Sequence, residues 1–193
     1  MSRQNLRIIG GRWRGRRLEF IPEAGLRPTG DRLRETLFNW LAPFLPGARC
    51  LDLFAGSGAL GLEALSRGAA ATTFVDQSRV VTSQLEHNLA LLKLEPDQQA
   101  QVIHQSAMVW LQQTHYQAYD MVFLDPPFAL ALIHDVLLVL QASGCLNQPA
   151  CIYVEQPQPL LTLNLPDSWQ ISHHKRAGKV YYGLLQVYQS ACL

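Results

Sequence analysis

From about residue 49 onward, short apolar runs alternate with segments in which apolar residues recur every three or four positions. Runs at 50–54, 72–75, 101–104, 121–124 and 151–154 predict buried strands. Periodic stretches at 59–67, 78–93, 108–113 and 132–141 predict helices between them. In the longest of these, Val81, Leu85, Leu89 and Leu92 share one face. A strand–helix series of this kind predicts an α/β fold with a mostly parallel, doubly wound sheet. The alternation stops near the C-terminus, where strand-like runs at 169–174 and 180–188 flank Ala177-Gly178 and predict an antiparallel hairpin.

The first 46 residues follow another pattern. Two short strands are expected within 7–18, around a glycine-rich turn. A helix then starts at Asp31, with Leu33, Leu37, Trp40, Leu41 and Phe44 on an apolar stripe, and Pro43 and Pro46-Gly47 end it. Arg32, Arg34 and Glu35 fall off that stripe. The chain therefore divides into a small hairpin-plus-helix appendage, 1–46, packed on a main domain, 47–193.

A chain of 193 residues with 48% hydrophobic and 16% charged residues fits one sizeable soluble core. It has no apolar run of membrane-spanning length, and the basic N-terminus lacks the apolar stretch of a signal peptide. Cys50, Cys145, Cys151 and Cys192 show no Cys-x-x-Cys spacing, and the six histidines show no ligand spacing. Reduced buried thiols, no metal, a cytoplasmic location and a monomer are the expectations.

Net charge is only +1, but it is unevenly distributed. Residues 1–34 hold nine arginines against Glu19, Glu23 and Asp31. The rest of the chain is net acidic. Interleaving with Ile8, Ile9, Trp13, Leu18 and Phe20 argues against a merely solvated tail and for a polyanion docking at this end. Arg7, Arg12, Arg14, Arg16, Arg17 and Arg32 are candidate phosphate contacts, and Trp13 is a candidate for stacking on a base. His173, His174, Lys175, Arg176 and Lys179 form a second basic run, for which a solvated turn is the favoured reading.

Between the first two strands of the main domain lies Asp52-Leu53-Phe54-Ala55-Gly56-Ser57-Gly58-Ala59-Leu60-Gly61, a Gly-x-Gly-x-x-Gly loop opening a helix. Asp76 ends the next strand, 20 residues after Gly56, where a carboxylate can accept both ribose hydroxyls. An adenosine-containing cofactor is indicated. Asp52 at the strand–loop junction disfavours a pyrophosphate, and 193 residues offer no second nucleotide-binding half. A sulfonium cofactor, S-adenosylmethionine, fits better than NAD.

Asp125-Pro126-Pro127-Phe128 follows the strand at 121–124. Two prolines fix a stiff turn and keep backbone carbonyls available. One carboxylate, those carbonyls and an aromatic face suit a planar amine, although Asp-Pro-Pro is also an ordinary loop breaker.

Together with Asp52–Gly58, the Asp125–Phe128 motif resembles S-adenosylmethionine-dependent N-methyltransferases. Arg7-Ile8-Ile9-Gly10-Gly11-x-Trp13-Arg14-Gly15-Arg16, the stretch Leu26-Arg27-Pro28-Thr29-x-Asp31-Arg32-x-Arg34-Glu35, and Gly61-x-Glu63-Ala64-x-Ser66-Arg67-Gly68 narrow the likeness. They resemble the bacterial 16S rRNA guanine-N2 methyltransferase family often called RsmD, over about residue 6 to the C-terminal hairpin. The resemblance implies a Rossmann-like methyltransferase fold and methylation of guanine 966 of 16S rRNA, in the small ribosomal subunit or its assembly intermediate. It implies Asp125, Pro126, Pro127 and Phe128 as catalytic. It implies Asp52, Phe54, Ala55, Gly56, Ser57, Gly58, Asp76, Gln77, Ser106, Ala107 and Asp125 around the cofactor; Thr29, Arg32 and Arg34 are candidates for its methionine end or for RNA phosphate, with helix capping and surface solvation an equally weighted reading. Two positions depart from the general pattern: His104-Gln105-Ser106-Ala107 lacks the acidic residue often found near the adenine, and Asp125 stands where many relatives carry Asn. The open alternatives are a DNA adenine-N6 methyltransferase, a non-catalytic RNA-binding assembly factor and a small NAD-dependent reductase.

Overall fold

The computed structural model describes residues 4–22, 30–114, 117–127 and 132–188. The main sheet has seven strands in the order β5-β4-β3-β6-β7-β9-β8. These are β3 Arg49–Asp52, β4 Ala71–Asp76, β5 Gln99–His104, β6 Tyr119–Leu124, β7 Leu146–Gln156, β8 Trp169–Ala177 and β9 Val180–Val187. Strands β3 to β7 run parallel, and β9 lies antiparallel between β7 and β8. From β3 the chain first winds outward to β4 and β5, then returns to β6 on the other side. A crevice for ligands therefore opens at the carboxyl ends of β3 and β6.

Alternation along the strands sorts the core into two layers. Val122, Leu124, Ile152 and Val154 pack with α4 (Ala107–Leu111), α5 (Ile133–Ala142) and a 3-10 turn at Leu160–Thr162. Met121, Phe123, Cys151 and Tyr153 face α1 (Asp31–Leu41) and α2 (Ala59–Ser66). The third helix, α3 (Arg79–Leu92), covers β4 and β5 together with the separate N-terminal hairpin, β1 (Gln4–Arg7) and β2 (Arg17–Phe20).

Several elements differ from the pattern reading. Strand β7 begins at Leu146, well before 151, because Asn147 donates to Asp120 Oδ1 at 2.7 Å and thereby joins a polar, exposed stretch to the ladder. Helix α1 buries Arg34 and ends before Phe44, which is 47% exposed. Trp13 lies in the hairpin core, only 2% exposed.

The N-terminal hairpin is held on α2 by buried polar contacts. Ser66 Oγ donates to the Gly10 carbonyl (2.6 Å) and accepts from Trp13 N–H (2.9 Å), while the Ser66 carbonyl accepts from Arg12 N–H (2.7 Å). Gly11 (φ +71°) allows this approach, since a Cβ there would stand 1.8 Å from the Ser66 carbonyl oxygen. Fully buried Glu63 accepts Ile9 N–H at 2.9 Å and the Arg67 guanidinium at 2.7 Å, with Arg34 at 3.6 Å.

Candidate active site at the strand ends

The glycine loop leaves β3 at Asp52. Gly56 (φ +50°) and Gly58 (φ +77°) take the left-handed backbone needed to turn sharply into α2. Gly61 serves another purpose: a Cβ there would meet the Phe74 ring at 2.3 Å, so its absence lets α2 lie against β4. Phe54 is half-buried, Ala55 and Ser57 are buried, and Ala55 N–H is tied to the Val75 carbonyl.

Asp52 is turned inward. Its Oδ2 accepts Gly61 N–H at 3.0 Å, so it satisfies an N–H in the first turn of α2 that a phosphate would otherwise use. Burial pushes its carboxyl up to about 7, offset in part by that hydrogen bond and reinforced by Asp76. Asp76 closes β4: Oδ2 accepts Gly56 N–H (2.9 Å) and Oδ1 accepts Ser78 N–H (2.8 Å). A carboxylate offers about four acceptor positions, so each oxygen keeps capacity for a hydroxyl. Gln77 is exposed, and its carbonyl meets His104 Nε2 at 3.0 Å. The Ser106 hydroxyl caps α4 by accepting Val109 N–H, and Ala107 is buried in the first turn.

On the other side of β3, strand β6 delivers Asp125 half-buried, Pro126 buried and Pro127 exposed. Phe128 and Thr29 lie outside the described residues. A second carboxylate, unread in the sequence, ends the neighbouring strand: Glu155 is 4% exposed and accepts the Tyr153 hydroxyl at 2.6 Å. Burial first, then Glu155, and also Asp125 hold the Tyr153 hydroxyl well above its ordinary pKa, so it remains a donor. The available signal was positional, since Glu155 directly follows the strand expected at 151–154, one strand over from Asp125.

Two expected roles need correction. Trp13 cannot stack on a base, because its indole is enclosed with Ile8, Leu18, Phe20 and Leu65. Arg34 is 1% exposed, and its guanidinium is directed at Asp31 (2.7 Å), the Arg7 carbonyl (2.8 Å) and Glu63. It braces α1 against the hairpin and α2 instead of facing a ligand. The other arginines are on the surface: Arg7 pairs with Asp31 (3.4 Å), Arg12 with Glu95 (2.5 Å), Arg16 donates to the Leu91 carbonyl (3.2 Å), and Arg14, Arg17 and Arg32 are exposed. Among the described residues no group of three or more His, Cys, Asp or Glu could hold a metal, and no helix is long and apolar enough to cross a membrane.

A family model described as "Conserved hypothetical protein 95" matches residues 6–186. The chain is 48% identical over 181 residues to the ribosomal RNA small subunit methyltransferase D of Escherichia coli K12, covering 94% of this chain and 89% of that one. It belongs to that methyltransferase D family. The Haemophilus influenzae member is 46% identical over 188 residues, covering 96% and 95% of the two chains. The solved structure of Escherichia coli yhhF superposes with a TM-score of 0.85 at 45% identity, covering 96% of this chain and 99% of that one. SMU.776, described as "a putative methyltransferase complexed with SAH", 14% identical and with a TM-score of 0.71, shares the fold; the match covers 89% of this chain and 53% of that one.

Proposed function

We propose that this protein transfers a methyl group from S-adenosylmethionine to the exocyclic N2 of a guanine in 16S rRNA, guanine 966 by its resemblance to the family. The observation that carries the reading is the placement of two half-sites on adjacent strands: the glycine loop and Asp76 on the β3–β4 side, and Asp125-Pro126-Pro127 at the end of β6. The names of its relatives agree with it.

The residues fit the cofactor. Asp76 has acceptor capacity for a ribose, and one of the first-turn α2 N–H groups that a phosphate could use, that of Gly61, is already taken by Asp52. Carboxylates at the strand ends favour a cationic ligand over an anionic one. When bound, S-adenosylmethionine supplies an electrophilic methyl group.

The protein's own work falls on the amine. A guanine N2 lone pair is delocalised into its ring. The Asp125 carboxylate and the Pro126 carbonyl accept its two N–H groups and draw the nitrogen toward tetrahedral geometry. The turn fixes their directions, and a held, in-line approach contributes about 7–11 kcal/mol in well-oriented systems. The nitrogen becomes acidic only as its new bond forms, and Asp125 or water takes the proton. Phe128 stacks on the base once it is turned out of its helix. The reading further places the enzyme in the cytoplasm as a monomer acting on the small subunit or its assembly intermediate.

The test is transfer of tritiated methyl from S-adenosylmethionine to unmodified small subunits, naked 16S rRNA and duplex DNA. Label on rRNA guanine is expected. Label in DNA alone overturns the reading.

A further inference from the structure

The chain carries seven basic side chains after residue 34, and three of them, Lys175, Arg176 and Lys179, fall within five residues at the β8–β9 hairpin. No acidic residue lies between 168 and 193. The three are exposed, and among the described residues none has a carboxylate within ion-pairing distance. Two of them sit instead over aromatic rings, and Arg176 Nε also donates to the Gly178 carbonyl at 2.9 Å. Lys175 Nζ stands 5.5 Å from the centre of the Trp40 ring, and the Arg176 guanidinium stands 5.1 Å from that of Tyr181. Trp40 also stacks on Tyr182 (5.7 Å, 25°) and lies tilted against His173 (5.1 Å, 31°).

This arrangement is built by the backbone. A register shift between Ile171 and His173 breaks the β8–β9 ladder opposite Leu185 and Leu184, and Gly183 pairs with His174 just beyond it. A Cβ on Gly183 would stand 2.1 Å from the His173 carbonyl oxygen. Such a bulge re-aims the residues after it. His173 and Lys175 consequently reach the α1 side of the sheet beside Trp40, while Arg176 stays paired across the strands with Tyr181. Strand β8 is also the sheet edge, so nothing in the sheet covers its outer side.

We propose that the β8–β9 edge, with Lys175 backed by Trp40, Arg176 backed by Tyr181 and Lys179 exposed beside them, is an RNA docking surface that grips phosphates of the rRNA substrate away from the reacting guanine. This rests on the reading of the protein as an rRNA methyltransferase. Cations without a carboxylate partner, two of them held over aromatic rings, suit a polyanion: the rings position charge without cancelling it, and each cation that meets a phosphate releases a counterion. An acidic patch on a ribosomal protein is the rival occupant.

The experiment compares the full-length protein with a Lys175→Gln, Arg176→Gln, Lys179→Gln variant in titrations with naked 16S rRNA at several salt concentrations, and in transfer assays on unmodified small subunits. The expected result is an affinity for naked RNA about ten-fold weaker or worse. The log–log salt slope should be shallower by about two, given ~0.7–0.9 per phosphate contact. KM for subunits should rise while kcat and binding of S-adenosylhomocysteine are retained. An unchanged RNA affinity and slope overturns the proposal. So does unchanged affinity for naked RNA with a raised KM on subunits, which assigns the surface to a ribosomal protein. Absence of transfer by the unmodified protein defeats the methyltransferase reading instead, and the titration still decides whether this edge binds RNA.

Discussion

The molecule has two basic β-hairpins, and the fold treats them differently. In β1–β2 much of the positive charge is turned to internal use. Arg7 and Arg12 meet Asp31 and Glu95, and Arg16 reaches a backbone carbonyl. The hairpin itself is fastened to α2 through Ser66 and Glu63. In β8–β9 Arg176 also reaches a backbone carbonyl, that of Gly178, but the cations otherwise meet rings and solvent, and among the described residues no carboxylate neutralises them. A dense run of arginines is thus partly architecture, and a sparser run of cations is more available to a partner.

The largest separable effect lies between the hairpins. Asp125→Ala is expected to lower methyl transfer by about 10²-fold or more, in the range typical of positioned acid–base and electrostatic groups. RNA affinity should hold, since both hairpins are intact; a matching loss of affinity in titration would place Asp125 in docking. Glu63→Ala should cost about 3–5 kcal/mol in urea unfolding, because it strips buried Arg34 of an ionic partner and leaves Ile9 N–H unpaired. An effect below about 1 kcal/mol would mean the first hairpin is not held as described.

Next come the turns. Gly11→Ala drives a Cβ into the Ser66 carbonyl, whereas Gly178→Ala (φ +61°) meets nothing within 4 Å. The first should cost at least 2 kcal/mol, the second about 1 kcal/mol, chiefly from its left-handed backbone. Equal costs would erase the contrast between a docked and an open hairpin.

Asp52 gives a background slope on which both hairpins are measured. Its carboxyl is raised from the usual carboxylate value to about 7 in the folded protein. The folded state therefore holds its proton more tightly than the unfolded chain does. Its favourable contribution is complete below about pH 4, declines as pH rises toward 7, and is flat above that. Asp52→Asn keeps an acceptor for Gly61 N–H and should flatten unfolding free energy across that window. A variant with the same slope would mean Asp52 is ionised throughout.

Much of the layout was readable from residue order. The strand–helix period, the glycine loop, Asp76 and Asp125 at strand ends all follow local rules that act within a few residues, and the parallel sheet, the small antiparallel hairpin and the membership of the family agree with that reading. What pattern missed depends on contacts distant in sequence. Trp13 looks like a stacking residue until α2 and α3 close over it, and Arg34 looks like surface because the glutamate that buries it is Glu63. In the outer hairpin, neither the register shift opposite Leu184 and Leu185 nor the nearness of Trp40, on a helix more than 130 residues earlier, leaves a local mark in the sequence.

The position of β9 between β7 and β8 has a consequence for the order of assembly. Its two flanking ladders close over Leu184 and Leu185, which fill both layers of the core and are almost wholly enclosed. A chain interrupted before Val180 would hold every crossover of the parallel part but leave one side of β7 with its amides and carbonyls exposed, beside an open seam in the core. Such fragments should be sticky, prone to pairing edge to edge with one another. Among the described residues, the last strand in chain order is thus one that lies inside the sheet, between two earlier ones.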